Sequence, residues 1–472
     1  MKSKWVFKVK RDADGGVSRY KARLVAQGYS QAAGIDYNEV FSPVARATTI
    51  RSLLAVANIY DLEIHQMDVT TAFLNGTLDH EIYMEQPRGF VDASKADYVC
   101  KLKKGLYGLK QAARCWNNTL TQYLISEGYI KSTADECIYF KVNDDGSFVL
   151  FPLYVDDLFP ISNNTQFLIE EKRKIKAKFQ MVDNGDIHYV LGMQISRNRA
   201  NTVLTIGHPN YLLSILKRFK MERCKPVATP LEAGRKFQKT TDADQEFHDI
   251  SLYQQAIGCL TYAATTTRPD IAAAVSCLSQ YMSRPSTEHW IGVKRVLRYL
   301  RGTSNYGLRF AACTVNELVG YSDSDWAGDV DTRRSTSGYS FFLGASLISW
   351  SSKRQPTVAK SSTEAEYVAL SAAAQEAIWL RRLLIDLRSP SVHPTVINED
   401  NQGAIELSRN PKHHSRVKHI DIAYHFARER VESGEIEVVY CPTDSMIADV
   451  MTKGLPRTQF EKFRSLMGVV EV

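Results

Sequence analysis

The chain has 472 residues, enough for roughly three domains of ~150 each, and its 44% apolar and 24% charged residues exclude disorder and fibrous repeats. Eight cysteines without a Cys-x-x-Cys pair exclude a disulfide scaffold and a zinc ribbon, leaving free thiols. The net charge of +7 is modest, and no apolar run approaches the about 20 residues that cross a bilayer.

The start, Met1 to Lys8, has no secretory h-region, so an intracellular protein is expected. Ile50, Leu53, Leu54 and Ala57 share one helical face, which predicts a helix over 44–60. Residues 61–68 alternate as a strand ending at Asp68, and 69–74 run into the Asn75-Gly76 turn signal. Farther on, 148–161 reads as two apolar strands joined by a tight turn, with Asp156 and Asp157 at its tip. Adjacent ionised carboxylates repel unless a cation joins them. With a third carboxylate from another strand they make an oxygen-rich site suited to Mg²⁺.

Residues 1–165 carry no net charge, 166–320 carry +9 and 321–472 carry −2. Charge alone leaves two readings open, a grip on a polyanion and a solvated basic face. The pattern then favours nucleic acid. Basic helices are predicted at 170–179, at 211–220 and at 290–301. In the last, Val293, Val296, Leu297 and Leu300 form an apolar stripe while Lys294, Arg298 and Arg301 line another face.

From Leu318 onward the order is strand, hairpin, helix, strand, helix, strand, helix, a mixed sheet flanked by helices. Thr363 and Glu366 read as a capping box opening the long helix. Asp323 and Asp400 at strand ends, and Glu366 and Asp449 on helices, can converge on one edge of such a sheet. Asp325, Asp329 and Glu364 are expected to be surface acids near them. His413, His414, His419 and His425 have no cysteine partners and lie among Lys412, Arg416 and Lys418, which favours a basic strip over a zinc site.

Tyr154-Val155-Asp156-Asp157 and Gln66-Met-Asp68-Val-Thr-Thr-Ala-Phe73-Leu-Asn-Gly76 resemble the polymerase core of copia-type LTR retrotransposons. Lys104-Gly-Leu-Tyr-Gly-Leu-Lys-Gln111-Ala-Ala-Arg-Cys-Trp116 is similar to that family's nucleotide-pocket segment, Arg19-Tyr-Lys21-Ala-Arg23-Leu-Val-Ala-Gln-Gly28 to its fingers motif, and 191–195 to its primer-positioning hairpin. Tyr321-Ser-Asp-Ser-Asp-Trp, Lys360-Ser-Ser-Thr-Glu-Ala-Glu-Tyr, Asp400-Asn-Gln-Gly and Ala448-Asp-Val-Met-Thr-Lys resemble its ribonuclease H.

The resemblance implies an α+β multidomain chain. A right-hand polymerase of fingers (N-terminally truncated) and palm would occupy 1–165. A thumb and basic connection would follow over 166–317, then a ribonuclease H-like α/β domain with a mixed five-stranded sheet over 318–472. It implies RNA-directed DNA synthesis with cleavage of the RNA in RNA–DNA hybrids. Each site would hold two Mg²⁺ (or Mn²⁺), on Asp68, Asp156 and Asp157 and on Asp323, Glu366, Asp400 and Asp449. Lys21 and Arg23 would meet the triphosphate, Phe73 would stand under the sugar, and Gln111 and Tyr154 would contact substrate, while Lys294, Arg298 and Arg301 hold nucleic acid. The implied partners are RNA template, DNA primer, hybrid, deoxynucleoside triphosphates and other parts of a Pol polyprotein, within cytoplasmic virus-like particles and with nuclear passage.

Two departures stand out. Ala113 replaces the family's usual proline, and Pro152 and Pro160 bracket the Asp-Asp turn, where a missing N–H would distort the hairpin or confine it to an edge. They keep two alternatives open, a nucleic-acid-binding remnant and a nuclease carrying an impaired polymerase.

Overall fold

The structure, a computed structural model, describes residues 1–11, 16–241, 245–313, 316–409 and 421–472. It divides into two compact units, one of 1–46 with 63–187 and one of 47–62 with 188–472. The first boundary falls after 187 rather than at 165, and 188–317 shares a unit with 318–472.

The first unit opens with an antiparallel ribbon of β1 (Ser3–Arg11) and β2 (Val17–Ala26). The next helix, α1 (Ala47–Ile59), belongs to the second unit. Then come β3 (Glu63–Val69), a second ribbon of β4 (Thr77–Glu85) and β5 (Val99–Lys104), and α2 (Ala112–Ser126). Four short strands and a longer one follow, β6 (Ile130–Lys131), β7 (Ile138–Val142), β8 (Phe148–Tyr154), β9 (Asp157–Leu158) and β10 (Ile161–Ser162). After α3 (Thr165–Lys178), β11 (Met181–Asp186) returns to β3, which is why the unit extends to 187. The main sheet runs β10-β3-β9-β8-β7-β6, with β11 also on β3. Trp116 and Leu120 of α2 and Phe167 and Ile175 of α3 form one core with Met67, Phe151 and Leu158 of the sheet. Each such side chain contributes about 1.5–3 kcal/mol by leaving water.

The prolines act on the hairpin in a definite way. Leu153 pairs with Leu158 and Leu150 with Ile161, so the register of β8 is continuous. The two positions left between them would be Pro152 opposite Phe159 and Phe151 opposite Pro160. Each contains a proline that cannot donate, so the returning strand splits into β9 and β10. One bond survives there, from Phe159 N to the Pro152 carbonyl at 3.1 Å. The hairpin is therefore interrupted, but it lies inside the sheet between β3 and β7 rather than at an edge.

The second unit continues with β12 (Tyr189–Val190) and β13 (Met193–Asn198), joined by Leu191-Gly192 with φ of 51° and 77°. Two positive φ values suit the tight hairpin expected there. Next are β14 (Val203–Gly207), α4 (Pro209–Arg218), α5 (Ile250–Thr266), α6 (Ala272–Ser279), α7 (Thr287–Gly302) and β15 (Tyr306–Ala311). A second sheet is built from β16 (Leu318–Asp325), β17 (Thr336–Leu343), β18 (Ser346–Arg354), β19 (Thr395–Glu399) and β20 (Ile436–Tyr440). Around it lie α8 (Ser362–Asp386), α9 (Gln402–Arg409), α10 (Asp421–Glu432) and the single turn α11 (Asp449–Thr452), while α12 (Arg457–Leu466) packs against α11. The last strand, β21 (Val469–Glu471), pairs with β15. The order β18-β17-β16-β19-β20 is antiparallel on one side of β16 and parallel on the other, the mixed five-stranded sheet expected.

α1 is buried on all sides from Thr49 to Asn58. Its Arg51 is buried too, donating to the carbonyls of Ile348, Thr265 and Thr266 and stacking 3.8 Å from the Trp350 ring. Burial pulls that guanidinium down to about 9. These contacts bind α1 to β18 and α5, and no periodicity in the sequence announces them.

Candidate active sites

In the first unit, β3 and β9 pair with Asp68 directly opposite Asp157. Alternation puts Met67 and Leu158 into the core and both acids on the other face. Val69 N donates to the Asp156 carbonyl at 3.0 Å, which brings the third acid to the same end of the sheet. Without a cation the three oppose one another. Burial first, then the fields of Asp156 and Asp68, push Asp157 up to about 6.

The turn holding Asp156 is strained and braced. Val155 has φ of 58°, a left-handed conformation that a β-branched residue rarely adopts. The indole Nε1 of Trp116 donates to the Val155 carbonyl at 2.7 Å and fixes it. Tyr154 ends β8, half-buried and paired with Asp157.

A stack stands beside the acids. The Phe73 ring is 4.8 Å from that of Tyr107, and the Arg23 guanidinium lies 4.8 Å over the other ring, Tyr107. Burial raises the Tyr107 hydroxyl; Arg23 opposes that shift while Asp156 and Asp68 add to it, which puts the stack within the field of the acids. Lys21 lies two residues before Arg23 on the same face of β2. Gln111 departs from its expected place. It is fully buried, accepting from Gln31 Nε2 at 3.0 Å and donating to the Asp36 carbonyl at 2.8 Å, so its side chain ties the 31–36 segment to the start of α2.

In the second unit, Asp323, Glu366 and Asp400 each offer an oxygen within 4.8 Å of the others. Asp323 lies near the end of β16, Glu366 in the first turns of α8, and Asp400 just beyond β19. Asp449 opens α11, and Lys453 joins it to Asp323 with Nζ at 2.9 and 3.7 Å from their oxygens. Thr452 donates its hydroxyl to Asp323, and Thr443 to Asp400 at 2.9 Å. Burial leads the upward shifts, with Asp323 the next cause for Glu366 and Asp449. Glu366 rises far above the carboxylate range and Asp449 to about 7, where Lys453 pulls against the shift. Among the described residues, the buried Glu366 Oε2 has no hydrogen-bond partner. An all-oxygen set with an orphaned carboxylate oxygen fits a hard divalent cation such as Mg²⁺.

The start of α8 differs from the expected capping box. Ser361 is the N-cap, accepting from Glu364 N at 3.1 Å, while Glu364 Oε2 accepts from Lys360 N at 2.8 Å. Local capping thus engages Glu364 and leaves Glu366 to the site. Glu364 is buried rather than at the surface. Asp329 pairs with Arg354 at 2.5 Å and accepts from the backbone of Asp331 and Thr332. Asp325 lines a cavity of about 260 Å³ with Arg235, Lys236 and Lys453.

The cationic stripe of α7 is partly engaged within the unit. Arg298 Nε donates to the Lys225 carbonyl at 2.8 Å and Arg301 Nε to that of Glu222 at 2.7 Å, so both hold the 222–225 segment. Lys294 is half-exposed at a separate cavity. Of the expected histidine strip, His413, His414 and His419 lie outside the described residues, and His425 is exposed on α10.

Residues 1–233 match the family described as reverse transcriptase (RNA-dependent DNA polymerase). The chain is 43% identical over 475 residues to the retrovirus-related Pol polyprotein from transposon TNT 1-94 of Nicotiana tabacum, covering 99% of this chain and 36% of that protein. It is 44% identical over 469 residues to that from transposon RE2 of Arabidopsis thaliana, covering 99% and 32%. The putative transposon Ty5-1 protein of Saccharomyces cerevisiae is 33% identical over 311 residues, which is 66% of this chain and 100% of that protein. The chain belongs to the copia-type retrotransposon Pol family. It spans about a third of the length of the plant Pol polyproteins it matches.

Four residues of this Pol chain escaped the sequence reading of its sites. Tyr107 and Trp116 sit inside a recognised string, but only the fold brings them to the acids. Lys453 ends another such string. Glu399 is fully buried beside Asp400, and burial first, then Asp323 and Asp400, raise it against the pull of the Asn401 amide. The alternation of Thr395, Ile397 and Glu399 toward the interior of β19 was a usable signal.

Proposed function

We propose that the chain performs two phosphoryl transfers, RNA-directed DNA synthesis at Asp68, Asp156 and Asp157 and hydrolysis of the RNA in RNA–DNA hybrids at Asp323, Glu366, Asp400 and Asp449. The observation that carries this reading is the presence of two carboxylate clusters, Asp68 paired across strands with Asp157 beside Asp156, and Asp323, Glu366 and Asp400 with oxygens within 4.8 Å of one another beside Asp449. Burial and neighbouring carboxylates raise Asp157 to about 6 and, against the pull of Lys453, Asp449 to about 7. Asp68, Asp156 and Asp157 would hold divalent ions such as Mg²⁺ or Mn²⁺ at the first site, and Asp323, Glu366, Asp400 and Asp449 at the second, where the ions would supply activation of the attacking oxygen and charge stabilisation of the leaving one.

The protein's own side chains supply the rest. Asp68 and Asp157, locked across a strand pair, hold one geometry for the 3′-hydroxyl and the incoming phosphate. Arg23 and Lys21 receive the triphosphate. Phe73, wedged against Tyr107, stands under the sugar and excludes a 2′-hydroxyl by contact. Residues 188–317 serve as thumb and connection, where exposed cations meet the duplex backbone.

Primer extension on an RNA template and cleavage of an end-labelled hybrid test the reading, with Asp157→Asn and Asp449→Asn as controls. Synthesis should fall at least about a thousandfold in the first variant alone, and cleavage by as much in the second alone. Wild-type activity no higher than the controls would refute it; salt-dependent hybrid binding without any product would point to a binding remnant. Cleavage without synthesis would leave a nuclease with an impaired polymerase.

A further inference from the structure

Lys453 is the C-terminal cap of α11, four residues after Asp449. Its ammonium bridges Asp449 and Asp323, both under 3% exposed. It faces a crowd of carboxylates, since its field also reaches Glu366, Asp400 and Asp325. The oxygens it touches are those the nuclease needs for divalent ions, and an ammonium cannot share them with such an ion at contact distance. The lysine has somewhere to go. Its side chain is 35% exposed, and it borders the cavity of about 260 Å³ that opens beside Asp325.

We propose that Lys453 is a resident cation of the nuclease site. It bridges Asp323 and Asp449 when no metal is bound and must withdraw toward the adjoining cavity for a divalent ion to enter. Metal loading is thus an exchange of one cation for another. The four-carbon stem of lysine suits this, because it can swing without disturbing the backbone that positions Asp449. This rests on the nuclease reading above for the identity of the site, but its test does not require catalysis.

The test is Mn²⁺ binding by isothermal titration calorimetry on the full chain, in an Asp157→Asn background that disables the other site. Lys453→Met keeps the stem and removes the charge, and it should bind Mn²⁺ at least about fivefold more tightly, because no resident cation has to leave. The metal-free variant should also melt below its parent at pH 7.5, and saturating Mn²⁺ should close that gap. Mn²⁺ affinity equal to or weaker than the parent's would overturn the proposal. If Lys453→Met does not fold, Lys453→Arg decides. A fork that grips two carboxylates at once should weaken Mn²⁺ binding, and unchanged affinity would overturn the exchange. Absence of hybrid cleavage with the expected shift in Mn²⁺ affinity would refute the nuclease reading and leave the cation exchange intact.

Discussion

At the scale of single residues, the acids were legible and their surroundings were not. Asp68, Asp156 and Asp157 stand in recognisable strings, and so do Asp323, Glu366, Asp400 and Asp449. Their neighbours are set by the fold, as Tyr107 lies within the field of Asp68 and Lys453 reaches from its place beside Asp449 to Asp323. Gln111 shows the reverse case, a residue in the right string whose side chain the fold engages elsewhere. The raised Asp157 has a consequence for stability. Its folded value of about 6 exceeds the roughly 3.9 of an unfolded chain, so the metal-free protein holds that proton more tightly when folded. The resulting stabilisation is complete below about pH 4 and is lost as pH rises through 6. At pH 7.5 in EDTA, Asp157→Asn should therefore be more stable than wild type by about 1–2 kcal/mol, a value discounted because the site is partly open to solvent. The advantage should shrink at pH 4.5; thermal melts showing equal differences at both pH values would contradict it.

At the scale of elements, strand and helix order could be read from periodicity, while the ends depended on tertiary bonds. The predicted capping box of Thr363 and Glu366 gave way to Ser361 and Glu364, and this shift frees Glu366 for the site. The two prolines broke the returning strand of the Asp-Asp hairpin only where they lack an N–H, and they left the turn itself in the centre of the sheet. That turn depends on Trp116. A left-handed Val155 stores roughly 1–3 kcal/mol of strain, and the indole bond helps to hold it. Trp116→Phe keeps most of the packing and removes that bond, at a cost of about 1–2 kcal/mol. Primer extension should fall at least about tenfold through kcat, since a shifted Asp156 misplaces the reacting groups. Cleavage of a preformed hybrid should be unaffected; equal losses in both assays would show a global effect.

At the scale of the molecule, the expected three-way division becomes two compact units, and the reason lies in contacts that no sequence pattern carries. The sequence predicts a helix over 44–60 with one apolar face, yet α1 is buried all round, with Arg51 tied to β18 and α5. β11 pairs with β3 and keeps α3 in the first unit, and β21 at the end of the chain pairs with β15. Each acid cluster lies wholly within one unit. The central claim is that these are two independent sites for divalent cations. Electron paramagnetic resonance of free Mn²⁺ during titration of the full chain tests it most directly, with wild type, Asp157→Asn, Asp449→Asn and the double variant side by side. The account predicts that each single variant loses one part of the bound Mn²⁺, that the two losses add, and that the double variant retains almost none. Bound Mn²⁺ unchanged by either substitution, or abolished by one alone, would contradict it.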